Sequence, residues 1–214
     1  MPQAEAMTVI DHPTADILAV AAKCFRERGY GATSIDEVAR GVGATKGRVY
    51  YHFKSKSDLF AAVFRSGMTM LSDAIDPVCR LDLPAAEKLR RMATTHVGTV
   101  IRTQAFQRVV WEGVEMHRRG ATTPDQRMAL DELANQRHDY GELFRPVMEQ
   151  ARRNGVLDYP NPSVALQLML MTLNTPIIWY SPRAGETEND RENLIAQVVD
   201  YAMSGLGEGR VKRP

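Results

Sequence analysis

The segment that begins at Ser34 restricts the possible folds of this chain more than any other. Ser34 is followed three residues later by Glu37, the spacing of a capping box, so a helix is expected to begin here. Gly41 and Gly43 are expected to end that helix, because glycine accepts the left-handed conformation that closes a helix. Thr45 can then cap a second short helix. Two short helices joined by a glycine-bearing turn predict a helix-turn-helix.

The charge pattern favours nucleic acid as the ligand of this segment. Lys46, Arg48, Lys54 and Lys56 lie within eleven residues that contain no acid, whereas the whole chain has a net charge of only +1. A local patch of this kind attracts phosphate without making the protein a polycation. The alternative, a solvated basic surface, explains the charges but not the helix-turn-helix that contains them.

Residues 29–60 resemble the DNA-binding segment of TetR-family transcriptional regulators. That segment combines a Gly-aromatic pair, a Thr-rich cap, a hydrophobic-Ala-Gly-Val core and a Tyr-x-His-Phe-x-x-Lys close. The matching positions are Gly29, Tyr30, Thr33, Ala39, Gly43, Tyr50, His52, Phe53, Lys56 and Leu59. The resemblance implies an all-α protein with a three-helix DNA-binding head, followed by a helical body that binds a ligand and a second subunit.

The resemblance also implies which side chains meet DNA. Base edges would be contacted by Lys46, Gly47, Arg48 and Tyr50. Phosphates would be contacted by Thr33, Thr45, Tyr51, His52 and Lys56. Arginine can bond bidentately to guanine, whereas phosphate contacts fix the register without selecting a sequence. Alternatives remain for two of these residues, since Tyr50 can be half core and His52 can simply cap or pack. Gly47 and Arg48 differ from the small or hydroxylated residues common at these positions, so the operator sequence is not predicted.

The remaining chain is predicted to be helical, with about nine helices in all. Residues 1–13 are expected to form a flexible arm, 14–56 the DNA-binding domain, 57–206 the ligand-binding and dimerisation domain, and 207–214 a disordered tail. In the body, we expect the fourth helix to end before Pro77 and the longest helix to run from Asp125 to Asn154. A later helix, from Pro162 to about Tyr180, is expected to kink at Pro176.

The helix that begins at Pro162 is hydrophobic on more than one face, which is typical of a helix buried on several sides. The resemblance implies that it pairs with the last helix in a homodimer. The predicted interface residues are Val164, Leu168, Met171, Ile178, Leu194, Val198 and Tyr201. A dimer also fits a palindromic double-stranded operator, because two-fold symmetry spaces the two heads roughly 34–36 Å apart on DNA. The alternative is a helix that merely lies at the centre of the core.

Residues 174–182, with the helix that follows, resemble the C-terminal part of TetR-type regulators of acyl-CoA metabolism. This implies an acyl-CoA effector, with an apolar tunnel for the chain and cations for the phosphates. The predicted pocket residues are Met92, Val97, Phe106, Trp111, Met116, Arg137, Phe144, Met148 and Trp179. Methionine suits a variable apolar ligand because its side chain adapts its shape, although such residues are also ordinary core. The alternative is an efflux-type repressor whose effector is a hydrophobic drug.

Other classes of protein fit the sequence less well. His96, His117 and His138 lie near acidic residues, but the sequence has neither HExxH nor paired ExxH spacing, so no metal-dependent enzyme and no cofactor is predicted. An interaction protein that had lost DNA binding would not need the four cations Lys46, Arg48, Lys54 and Lys56. No run of 18 apolar residues and no secretory signal is present, so we expect a cytoplasmic protein with no membrane contact.

Overall fold

The computed structural model describes residues 14–120 and 124–209, except for the side chains of residues 124–126. Within these ranges all regular elements are helices. In chain order they are α1 (Ala15–Ala32), α2 (Ile35–Val42), α3 (Lys46–His52), α4 (Lys56–Cys79), α5 (Ala85–Arg102), α6 (Gln104–Arg119), α7 (Pro124–Glu142), α8 (Arg145–Arg153), α9 (Pro162–Asn174), α10 (Pro176–Trp179) and α11 (Glu188–Gly205). The predicted all-α fold is confirmed.

Two of the nine predicted helices are each divided, which gives eleven helical segments in the described residues. The long helix predicted from Asp125 to Asn154 is wrong, because α7 ends at Glu142 and α8 begins at Arg145. Pro146 explains the break, since it cannot donate a hydrogen bond to the carbonyl four residues earlier. The kink predicted at Pro176 is confirmed, and it separates α9 from α10.

Two other predicted boundaries are wrong. Helix α4 does not end before Pro77 but continues to Cys79, whose side chain packs with that of Val78 against the core. That packing offsets the hydrogen bond that Pro77 cannot make. Residues 207–209 are not a disordered tail. They form a turn in which Glu208 pairs with Arg90 at 2.5 Å. The predicted arm at 1–13 and residues 210–214 lie outside the described residues.

The head is formed by α1, α2 and α3 around a small apolar core. Phe25 of α1, Val38 of α2 and Val49 of α3 are all buried in it. The predicted capping box of α2 is present, because Ser34 and Glu37 each accept the other's backbone N–H, at 3.2 and 2.9 Å. Gly43 then closes α2 with φ of 68°, as glycine permits.

The body is a helical bundle joined to the head through α1, α4 and α6. Helix α4 packs against α1 on the head side and against α5, α6 and α7 in the body. Helix α5 lies at the centre, in contact with α4, α8, α9 and α11. Since α4 begins in the head and ends in the body, a shift of the body can reach the predicted DNA-binding helices through it. In the described part of the chain, no helix has both the length and the apolar character to span a membrane.

Candidate functional site

Helix α3 presents its polar face to solvent and its apolar face to the head. Val49 is fully buried and Phe53 is 9% exposed, so these two side chains anchor the helix. The predicted base-contacting residues Lys46, Gly47, Arg48 and Tyr50 are all exposed. Thr45 caps α3 by accepting the Arg48 N–H at 3.3 Å. The exposed side of α3 is therefore rigidly placed and accessible to a groove of DNA.

Both cations of α3 are bound to aspartates from the other two helices of the head. Lys46 Nζ donates to Asp36 Oδ2 at 2.8 Å, and an Arg48 guanidinium nitrogen donates to Asp16 Oδ2 at 2.7 Å. The pair with Asp36 raises the pKa of Lys46. All four side chains are about half exposed, so each pair is weak, as ion pairs screened by solvent are. Such weak pairs hold the cations in place yet release them at little cost to an incoming base or phosphate.

The predicted phosphate-contacting residues differ in their surroundings. Thr45 and Tyr51 are exposed, Tyr51 by 84%, and His52 is half-buried with its ring 5.0 Å from that of Tyr51. Thr33, in contrast, is 3% exposed, and its hydroxyl donates to the Gly29 carbonyl at 2.8 Å. Its hydroxyl is used to close α1 inside the head. We therefore leave Thr33 out of the proposed phosphate contacts.

Lys56 has an internal function that its sequence position did not indicate. Its ammonium donates to the carbonyls of Tyr30, Gly31 and Thr33 at 2.8, 3.2 and 3.0 Å. It also lies 4.5 Å from the centre of the Tyr30 ring. All three donors of the ammonium are thus directed at the end of α1. In this structure Lys56 holds the joint between α1 and α4.

The head and the body are connected by hydrogen bonds around Tyr30. Glu112 Oε1 of α6 accepts the Tyr30 backbone N–H at 2.6 Å. The Tyr30 hydroxyl lies 2.7 Å from Ser57 Oγ, in the first turn of α4. The Tyr30 ring packs edge-on against Phe60. Sequence reasoning missed Glu112, because it lies 82 residues from Tyr30 and no local pattern marks it.

One of the predicted pocket residues, Trp179, lies apart from the others. Met92, Val97, Phe144 and Met148 are fully buried inside the body. Phe106, Trp111, Met116 and Arg137 are half-buried. Trp179 is 54% exposed and lines a different feature, a groove of about 880 Å³ beside α11. The structure therefore separates Trp179 from the interior set.

That groove lies on the predicted dimer face. It is lined by residues of α9, α10, α11 and the loop between α10 and α11, among them Leu194, Val198 and Tyr201. The apolar residues of α9 and α10 on the predicted face are exposed: Val164 by 52%, Leu168 by 63%, Met171 by 45% and Ile178 by 57%. An apolar surface of this kind is typical of a protein-binding surface.

Nothing in the described part of the chain resembles a metal site, since no three His, Cys, Asp or Glu side chains there are grouped to hold an ion. Cys24 and Cys79 are free thiols, each half-buried. Burial is the main reason why both thiol pKa values are raised.

Comparison with known families covers both parts of the chain. The model for bacterial regulatory proteins of the tetR family matches residues 17–63, and the model for the tetracyclin repressor-like C-terminal domain matches residues 82–206. The first match contains the helix-turn-helix, and the second covers more than half of the chain.

Individual proteins agree with these matches. The transcriptional repressor BepR of Brucella suis biovar 1 is 26% identical over 141 residues, which are 66% of each chain. The transcriptional activator FasR of Mycolicibacterium smegmatis is 26% identical over 196 residues, 92% of this chain and 84% of FasR. The crystal structure of AibR in complex with isovaleryl coenzyme A and operator DNA has a TM-score of 0.68 at 22% identity. It covers 89% of this chain and 95% of that chain, and it shows a shared fold.

Proposed function

Because this chain belongs to the TetR family of bacterial regulatory proteins, we propose that it is a cytoplasmic homodimeric repressor of transcription. It leaves a palindromic operator when a small hydrophobic or acyl-CoA effector binds in its body. The observation that supports this proposal most is the exposed face of α3, where Lys46 and Arg48 are presented by a buried anchor and held by weak, exchangeable ion pairs.

In this proposal α3 enters the major groove. Arg48 breaks its ion pair with Asp16 and bonds bidentately to O6 and N7 of a guanine. Lys46 breaks its ion pair with Asp36 and contacts a base edge or a phosphate. Gly47 lets the helix approach closely, and a Cβ at this position would meet only Thr45 Oγ1, at 3.8 Å. Tyr50 completes the base contacts. Thr45, Tyr51 and His52 contact phosphate on either side.

Dimerisation is proposed through the exposed apolar face of α9, α10 and α11. Leu168 lies on this face, so a Leu168→Glu variant is expected to be monomeric by light scattering, because the dimer would bury the new charge. Leu81→Glu is the matched control, since Leu81 is also exposed, by 39%, but lies in the turn between α4 and α5. Equal masses for the two variants would contradict the proposed face.

Release from DNA is proposed to pass through α4 and α6. A ligand in the body that displaces α6 would pull on the Glu112–Tyr30 hydrogen bond and so rotate the head. The ligand must bind the DNA-incompetent state more tightly, by about 1.4 kcal/mol for each tenfold loss of operator affinity. The complex of AibR with isovaleryl coenzyme A and operator DNA supports an acyl-CoA as the class of effector for a protein of this fold.

The experiment measures operator affinity by fluorescence anisotropy with and without added compounds. Acyl-CoAs are expected to weaken binding, and hydrophobic drugs of the efflux type are expected not to. Release by the drugs alone would favour the efflux-type alternative, and acyl-CoAs that bind without weakening operator affinity would contradict the proposal.

A second candidate is activation, which is favoured by the match to the activator FasR over 92% of this chain. Transcription in vitro from a promoter that contains the operator separates the two. A repressor lowers transcript yield until effector is added, whereas an activator raises it.

A further inference from the structure

The core of the body contains a polar cluster that neither α3 nor the dimer face uses. It is formed by His96 of α5, Arg137 and Tyr140 of α7, and Asn174 at the end of α9. His96 is 1% exposed, and its Nδ1 lies 2.8 Å from the Tyr140 hydroxyl. Tyr140 is itself 6% exposed. Buried polar groups of this kind normally have all their hydrogen bonds satisfied.

One nitrogen of this cluster has no hydrogen-bond partner in the described residues. His96 Nε2 is buried, yet no side chain or carbonyl meets it with hydrogen-bond geometry. The Asn174 side chain lies close enough to act on the pKa of His96 as a hydrogen-bond partner, raising it, but it does not meet Nε2 with full hydrogen-bond geometry. Its amide nitrogen donates to the Leu170 carbonyl at 2.7 Å. Burial and the nearby positive charge of Arg137 lower the pKa of His96 to about 4, so the imidazole is neutral at pH 7. Nε2 of the neutral His96 can therefore take a hydrogen-bond partner from a ligand.

Arg137 is the cation of this cluster. It is half-buried, and within the described part of the chain no carboxylate pairs with it and no acceptor receives its hydrogen bonds. Desolvation lowers its pKa, and no acid opposes that effect. Its nitrogens are not among the fully buried polar atoms that lack a partner, so solvent reaches the guanidinium at the edge of the core. An anion can therefore approach Arg137 from solvent.

We propose that Arg137 and His96 bind the oxyanion, a carboxylate or phosphate, of an effector whose remainder is apolar. This inference rests on the proposed function, since it assigns the class of ligand for the same body. Guanidinium bonds bidentately to either oxyanion. In the tautomer that has its proton on Nε2, His96 Nδ1 accepts a hydrogen bond from the Tyr140 hydroxyl. Its Nε2–H then donates a hydrogen bond to the same oxyanion.

The surroundings supply the apolar part of such a site. The Phe144 ring lies edge-on to both His96 and Tyr140, with centroids 6.2 and 5.9 Å away. Met92 and Met148 are also buried in the same body core. Phe144 occupies the break between α7 and α8, where the helical hydrogen bonds are interrupted. A ligand can thus open this region by moving α8 relative to α7, without unfolding a continuous helix.

Isothermal titration calorimetry on the full chain tests the site. The probes are C8, C12 and C16 carboxylates, their CoA thioesters, and the alcohols of the same lengths. At least one anionic series is expected to bind about tenfold or more tightly than its alcohols, which corresponds to one charge-assisted hydrogen bond. Preference for the free carboxylates over the thioesters places the carboxylate at Arg137, and the reverse places a phosphate there.

Variants connect this preference to Arg137. Arg137→Met is expected to abolish the preference for anions while leaving alcohol binding and thermal stability unreduced, because no residue that the structure describes pairs with Arg137. Arg127→Met, an exposed arginine of the same helix, is the matched control. The inference is overturned if no anion outbinds its alcohol, or if the two variants behave alike.

The same titrations separate this inference from the proposed function. If anions bind through Arg137 but operator affinity is unchanged, the site is supported and the release mechanism fails. If a compound releases the operator equally well from wild type and Arg137→Met, the proposed function stands and this site is overturned.

Discussion

Glu112→Ala tests the joint between the head and the body. The wild-type carboxylate accepts the Tyr30 N–H at 2.6 Å, a charge-assisted bond across the two parts of the chain. Alanine removes the acceptor and leaves that N–H without its partner. Hydrogen bonds to charged groups contribute about 1.5–3 kcal/mol. Because Glu112 is half-buried, the lower figure applies.

A loss of about 1.5 kcal/mol lowers the Tm of a chain of this size by about 3–6 °C. Differential scanning calorimetry at a fixed protomer concentration measures this shift, since dimerisation makes the Tm depend on concentration. Glu112→Gln keeps an acceptor but loses the charge, so about half of the shift is expected. Glu115→Ala is the matched control in the same helix, because the pair that Glu115 makes with Arg119, at 3.9 Å, is a weak surface contact.

The second measurement is the response to ligand. If Glu112 transmits movement from α6 to the head, then an effector that releases wild-type protein from operator DNA releases Glu112→Ala less completely, at equal effector occupancy. The reasoning is refuted if Glu112→Ala and Glu115→Ala lose the same stability and keep the same release.

Three further predictions concern single residues. Arg48→Ala is expected to lose about 1–3 kcal/mol of discrimination at one base position of each half-site, seen in titrations of single-base operator variants; an equal loss on random DNA would show that Arg48 contacts phosphate only. Ser34→Ala is expected to cost about 1 kcal/mol in thermal unfolding, because Ser34 caps α2; an unchanged Tm would show that the capping box does not matter to the fold. His96 has a folded-state pKa of about 4, below its ordinary 6.5, so the unfolded chain binds the proton first. Stability is therefore full above pH 6.5 and falls towards pH 4 by up to about 1.4 kcal/mol per unit, and His96→Gln should lack this component in denaturant titrations. Parallel curves for the two proteins would contradict the burial of a neutral His96.

Local chemistry in the sequence was enough to predict the head. The Ser34–Glu37 spacing and Gly43 set the ends of α2 through contacts no more than a few residues apart, so neighbouring letters contain the information. Pro176 was equally local, and its kink was predicted. Pro146 is local too, yet the apolar periodicity on either side of it predicts one long helix where two exist.

Contacts between distant residues could not be predicted in this way. Asp16 and Arg48 are 32 residues apart, and Tyr30 and Glu112 are 82 apart, so nothing in either neighbourhood indicates the pair. Apolar periodicity also cannot distinguish a side chain facing the core from one facing a second subunit. Trp179 was for that reason predicted in the pocket, although it lies in the groove beside α11.

Selection of bound sequences from a random duplex library, with the full chain as bait, tests the central claim most directly. A dimer that reads DNA through α3 should enrich an inverted repeat whose half-sites are about one helical turn apart, or a multiple of it. The Arg48→Ala protein should relax one symmetry-related pair of positions and retain the others. Enrichment of no sequence, or of one that Arg48→Ala leaves unchanged, would contradict the account.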